Sequence, residues 1–122
     1  MILVDTSVWV GFLRGSREVS RLADLLEEGE VCLHPWVRGE LALGRLGPRR
    51  RNLLSDLRLL PAVPVLPDEE VVEMVDARSL AGRGIGWVDA HLLASALLSG
   101  SSLWTLDRSL LVAARDLRVG TG

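Results

Sequence analysis

A chain of 122 residues with 16 acidic and 14 basic side chains carries a net charge of -2, and 48% of it is hydrophobic. The length allows one domain around one core, and the apolar content excludes a disordered chain. The charge argues against a surface dedicated to nucleic acid, although every basic residue is Arg, the better fork for phosphate, and none is Lys.

The first element is Met1-Ile2-Leu3-Val4, four apolar residues without alternation, which reads as a strand buried on both faces. It has neither the basic flank nor the apolar length of a signal peptide. Asp5 follows where such a strand meets solvent, with Thr6 or Ser7 placed to cap the next helix. Val8, Trp9, Phe12 and Leu13 make one stripe of a short helix ending near Gly15. A second helix is predicted over 18–28, with Val19, Leu22, Ala23, Leu25 and Leu26 inward. Val31-Cys32-Leu33 reads as the second strand; the lone cysteine has no intrachain partner and is expected to be a buried hydrophobe in a cytoplasmic protein. Pro35 suits the first turn of a helix running to about Leu46. Pro48 starts another that opens on Arg49-Arg50-Arg51 and buries Leu53, Leu54, Leu57 and Leu60. A third strand over 62–66 is demoted to an edge by Pro64. Pro67 to about Ala81 is a helix with acids in its first turn, favourable to the helix dipole. The flexible loop Gly82-Arg83-Gly84-Ile85-Gly86 leads to an apolar helix from Val88-Asp89 to Gly100. A fourth strand, Ser102-Leu103-Trp104-Thr105, a helix over 109–116 and a short strand near Arg118-Val119 complete the chain. No apolar run approaches the roughly 20 residues of a membrane span. Short apolar strands alternating with helices predict a three-layer α/β domain with a parallel sheet.

Most acids fall on solvated helix faces or at helix ends. Four are placed differently. Asp5 and Asp107 follow strands, Glu40 interrupts an apolar helix turn, and Asp89 opens an apolar helix after the glycine loop. Each alone is equally explained as a cap or a turn residue. Together they can converge on the crevice at the carboxyl ends of a parallel sheet. Converging carboxylates repel, a divalent cation removes the conflict, and oxygen-only ligands select Mg²⁺ or Mn²⁺. Neither His34 nor His91 has metal-ligand spacing. His34 is expected to cap or pack, and His91 to lie on a helix face or touch substrate.

Four blocks carry a family resemblance: Val4-Asp5-Thr6-Ser7-Val8-Trp9, His34 to Gly44 around Glu40, Gly86 to Ala96 around Asp89, and Leu103-Trp104-Thr105-Leu106-Asp107. In order and nearly end to end, they resemble the PIN-domain ribonucleases, most closely the VapC-type toxins of toxin–antitoxin pairs. The resemblance implies a five-stranded parallel sheet flanked by helices and a Mg²⁺- or Mn²⁺-dependent endoribonuclease. It matches Asp5, Glu40, Asp89 and Asp107 to the family's acidic cluster and Thr6 and Thr105 to its hydroxyl positions. Asp5 and Asp89 are the first choice as metal ligands; one ion or two stays open. The pattern departs after Asp107, where Arg108-Ser109 stands in place of a further Asn or acid. An antitoxin that covers the site, a homodimer and an RNA substrate are also implied. Arg14, Arg17, Arg49 to Arg51, Arg83 and Arg108 are candidates to track an RNA backbone, with Trp9 a candidate to line a partner groove; the rest of the tryptophans are expected mostly in the core.

Three rivals are weighed. A catalytically silent RNA- or protein-binding module would have lost an acid, and all four are present. An aspartyl-phosphate phosphatase needs a second acid two residues after its nucleophile, where Ser7 stands. A DNA-directed nuclease on the same fold shares the acid cluster. No glycine-rich phosphate loop with Lys follows the first strand.

Overall fold

The computed structural model describes residues 1–121. Its centre is a parallel sheet of three short strands, β1 (Ile2–Val4), β2 (Val31–Cys32) and β3 (Ser102–Trp104), in the order β2-β1-β3. β1 pairs Ile2 with Val31 on one side, and Ile2, Leu3 and Val4 with Ser102, Leu103 and Trp104 on the other. Leu3, Val4 and Leu103 are fully buried, as the unbroken apolar runs require, and each contributes about 1.5–3 kcal/mol by leaving water.

Among the described residues seven α-helices surround the sheet: α1 (Thr6–Leu13), α2 (Leu22–Glu27), α3 (Pro35–Leu43), α4 (Arg50–Leu57), α5 (Asp68–Ala77), α6 (Trp87–Ser99) and α7 (Arg108–Asp116). α1, α3 and α4 pack in succession, while α5 packs on α6 and α6 on β3. The architecture is the expected α/β/α arrangement, and no helix among the described residues is long and apolar enough to cross a membrane. From β1 the chain crosses to β2 on one edge, then returns past β1 to β3. Neighbouring connections therefore leave β1 and β3 in opposite directions, the topological switch point at which open α/β sheets form their crevice.

The sheet is smaller than the five strands expected. The two outer ones shrink to single parallel bridges, Leu33 with Ala62 and Leu103 with Gly120. On the first edge Leu33 N–H bonds the Pro61 carbonyl and Val63 N–H bonds that of Leu33, but Pro64 has no N–H to continue the ladder. Other boundaries tighten as well. The second predicted helix splits into a 3₁₀ turn (Arg17–Val19) and α2, with Ala23 exposed. Leu43 is 90% exposed and ends α3 before Leu46; Leu53 and Leu60 are only half-buried. Cys32 is buried, and burial pushes its thiol pKa up, as an inert core residue requires. Trp9 and Trp104 are core residues, Trp36 is half-buried and Trp87 is exposed at the start of α6.

The arginine run has a structural role. Arg49 donates to the Leu13 carbonyl at 2.6 Å, and Arg50 donates twice to the Ala42 carbonyl, at 3.2 and 2.7 Å. These are the orphan carbonyls at the ends of α1 and α3, which a guanidinium satisfies well.

Candidate active site

The carboxyl ends of β1 and β3 lie side by side, and Asp5 is where their side chains meet. It occupies the N-cap position of α1 but caps nothing with its side chain. Its Oδ2 instead accepts from Ser7 Oγ at 2.8 Å and from Thr105 Oγ1 at 2.7 Å. Both hydroxyls are fixed from behind: Leu106 N–H donates to Ser7 Oγ and Asp107 N–H to Thr105 Oγ1, each at 3.0 Å. With those oxygens already accepting, their protons are directed at Asp5. The carboxylate is buried, 6% exposed, yet well supplied with donors.

The neighbouring acids are held in the same manner. Thr6 Oγ1 donates to Glu40 Oε1 at 2.7 Å, tying the start of α1 to α3. Asp89 Oδ2 accepts from Gly86 N–H at 3.2 Å, across the first turn of α6. Asp107 is the N-cap of α7, its Oδ1 accepting from Leu110 N–H at 2.9 Å. Each of the four acids thus has one oxygen held, while the other accepts no hydrogen bond from the described residues. Cap and cluster member are not alternatives for Asp89 and Asp107, because one oxygen serves each purpose.

The charges of the other three acids act on Asp89. Its pKa is raised by burial first, against the Gly86 N–H that lowers it, and then by the negative charges of Asp5, Asp107 and Glu40. Asp5 is buried and Asp89 half-buried, while Glu40 and Asp107 are exposed, so the cluster opens outward from the sheet. Thr6 and Ser7 both serve acids rather than capping α1. Ser7 is a site residue that sequence reasoning treated only as a cap; its position two residues after Asp5 was the available signal.

Four carboxylates and no nitrogen or sulfur make a donor set for a hard divalent cation. Among the described residues no three acidic, histidine or cysteine side chains are gathered closely enough to hold a metal ion by themselves. Magnesium ordinarily takes only one or two carboxylates and completes its shell with water and substrate phosphate.

The histidines lie elsewhere. His34 Nδ1 accepts from Trp36 N–H at 3.0 Å and so caps α3 as expected. Burial, helped by neighbouring His91, lowers its pKa to about 4. His91 is not on a helix surface and meets no substrate there. It is fully buried between Trp36 and Trp87, ring centroids 4.1 and 4.7 Å away, with Nε2 3.3 Å from Asp68 Oδ1.

Residues 2–116 match the PIN domain family. The chain belongs to the PIN-domain family. Among PIN domains its relatives are of the VapC type: it is 46% identical over 118 residues to Ribonuclease VapC32 from two strains of Mycobacterium tuberculosis, an alignment spanning 95% of this chain and 92% of the relative. PIN-fold structures superpose along nearly its whole length. PAE2754 from Pyrobaculum aerophilum gives a TM-score of 0.62 at 19% identity, covering 97% of this chain and 93% of the other. FitAcB from Neisseria gonorrhoeae gives 0.62 at 23%, covering 94% of both. At those identities the likeness establishes the PIN fold.

Proposed function

We propose that this PIN domain is a Mg²⁺- or Mn²⁺-dependent endoribonuclease and the toxin of a toxin–antitoxin pair. The observation that carries the reading is the convergence of Asp5, Glu40, Asp89 and Asp107 at the sheet's switch point, each with one oxygen held and one open. The name of the VapC-type relatives supports ribonuclease over other uses of the fold.

In this mechanism Asp5 and Asp89 would hold the ion. A divalent cation bound there would polarise the scissile phosphate and make a bound water more acidic. Glu40, exposed and steadied by Thr6, is the group placed to accept the proton of the attacking water. Asp107, with Oδ1 committed to the α7 cap, leaves only Oδ2 to orient that water. Ser7 and Thr105 fix Asp5 by donating to one of its oxygens, leaving the other free.

The antitoxin is assigned to the largely apolar groove of about 310 Å³ lined by Trp9, Phe12, Leu26, Leu57 and Leu60, with Asp56 also lining it. Leu59, also in its lining, is 84% exposed, and Trp9 and Phe12 belong to α1, the helix that follows Asp5. A second copy of the chain is assigned to the face around Leu98, which is 63% exposed beside Met74 and Leu97.

Two experiments test the site. Purified protein is expected to cut single-stranded RNA with Mg²⁺ or Mn²⁺, to stop with EDTA, to recover on metal addition, and to leave DNA of the same sequence intact. Cleavage that persists in EDTA would remove the metal from the mechanism, and binding without cleavage would favour the silent module. Thr105→Val should lower cleavage about 10- to 100-fold, the usual effect of losing a group that orients a ligand. It should also lower stability by about 1–3 kcal/mol in urea, because the Asp107 N–H loses its acceptor.

A further inference from the structure

A second hollow lies beside the acids, and its chemistry is the reverse of theirs. It encloses about 220 Å³ and is lined by Arg83, Arg108, Ser109 and Val112. Two segments build it: the glycine loop leading into α6 and the first turn of α7. They touch at Gly84, whose φ is +77° and where a Cβ would come within 3.3 Å of Ser109 Oγ. Glycine is therefore required there both for its backbone conformation and for the close approach. Asp116, at the far end of α7, grips one nitrogen of Arg83 at 2.6 Å. That ion pair sets the guanidinium's position while leaving its other N–H groups unused by the described residues. Arg108 is exposed and makes no hydrogen bond or ion pair with the described residues. At the start of α7, Leu110 N–H is taken by Asp107 Oδ1 and Leu111 N–H by the Asp107 carbonyl. The Arg108 and Ser109 amides keep the positive end of the helix free.

Among the described residues that line the hollow, none is an acid. Two guanidinium groups and a hydroxyl therefore face one cavity, at a helix start. The cavity is also one step along the chain from the acids: Arg108 follows Asp107, and the loop ends at Gly86, whose N–H holds Asp89. A phosphate is repelled by the acidic cluster but attracted immediately beside it. Among the described residues that line it, Val112 is the only apolar side chain, and none is aromatic and able to stack on a base. Such a site grips backbone and reads no sequence.

We propose that Arg83, Arg108 and Ser109 form a subsite for the phosphodiester adjacent to the one that is cut, with Asp116 as the residue that positions Arg83. The proposal rests on the nuclease reading, and one set of measurements separates the two. Arg83→Gln and Arg108→Gln should each raise KM for single-stranded RNA about tenfold while kcat changes by less than about twofold, the pattern of lost uniform binding. The slope of log affinity against log salt, measured with a fluorescent RNA oligonucleotide on an Asp5→Asn background, should fall by about 0.7 for each phosphate that an arginine no longer neutralises. Asp116→Asn should move KM in the same direction by less, and Arg58→Gln, at the end of α4, should change neither quantity. Unaltered KM and salt slope in both the Arg83 and the Arg108 variants, with melting temperatures unchanged, would overturn the subsite. Arginine-dependent binding of inorganic phosphate, alongside oligonucleotide binding that ignores both arginines, would overturn RNA as its ligand. Were the wild-type chain to cut no RNA, the binding measured on the Asp5→Asn background still decides the hollow.

Discussion

Asp5→Asn is expected to lower metal-dependent RNA cleavage by at least about 10³-fold while leaving the fold intact, since a cation of this kind supplies several kcal/mol to the transition state. The direction follows from the hydroxyls behind Asp5. Ser7 and Thr105 accept from Leu106 and Asp107 N–H and donate their own protons to Asp5, which can only accept. An asparagine keeps both of these bonds by presenting its carbonyl oxygen. Its NH₂ then occupies the position of the open oxygen, turning a ligand for a cation into a donor that repels one. The held side of the network survives, so near-ultraviolet dichroism and the urea midpoint should stay close to those of the parent. Wild-type cleavage by the folded variant would remove Asp5 from the site, and an unfolded variant would show that its role is structural.

Asp89→Asn should cost as much activity yet raise stability at neutral pH. Burial and then the charges of Asp5, Asp107 and Glu40 raise the Asp89 pKa in the folded protein. The folded state therefore holds that proton more tightly than the unfolded chain does. Stability linked to this group is present below the ordinary carboxylate pKa and is lost as pH rises through the raised folded value. Once ionised, Asp89 is a burden to the folded state, and asparagine removes that burden while keeping an oxygen for Gly86 N–H. The urea midpoint of the variant should exceed that of the parent at pH 7, and the gap should close in acid. Mg²⁺ should stabilise the parent, because it binds only the folded state, and have little effect on the variant. A variant less stable than the parent at pH 7 would contradict this account.

Asp5, Glu40, Asp89 and Asp107 were legible in the chain because each breaks a local pattern: an acid ending an unbroken apolar run or entering an apolar helix has no solvated face to explain it. The parallel sheet was legible for the same reason, since Ile2 to Val4 and Ser102 to Trp104 show no alternation. What escaped depends on long-range pairing. Ser7 is tied to Thr105 and Leu106 across 98 and 99 residues of sequence, and nothing near position 7 distinguishes a cap from such a tie. The outer strands carry strand-like residues, but Pro64 removes the donor that would have extended one edge beyond a single bridge. His91 looked like a surface residue because its helix carries so many apolar side chains that no polar face stands out. All of the consecutive positions Ala90 to Ala96 are buried.

The held oxygens have a further consequence for the thermodynamics of ligand capture. A flexible carboxylate loses rotational freedom when it closes on an ion, and an unanchored glutamate loses most, up to about 2 kcal/mol. Here that loss is taken during folding, by Thr6 for Glu40, Gly86 for Asp89, Leu110 for Asp107 and the paired hydroxyls for Asp5. Capture is then governed by the release of water from the ion and the phosphate, and its calorimetric signature should be a favourable entropy rather than the ordering penalty of a loose acidic patch.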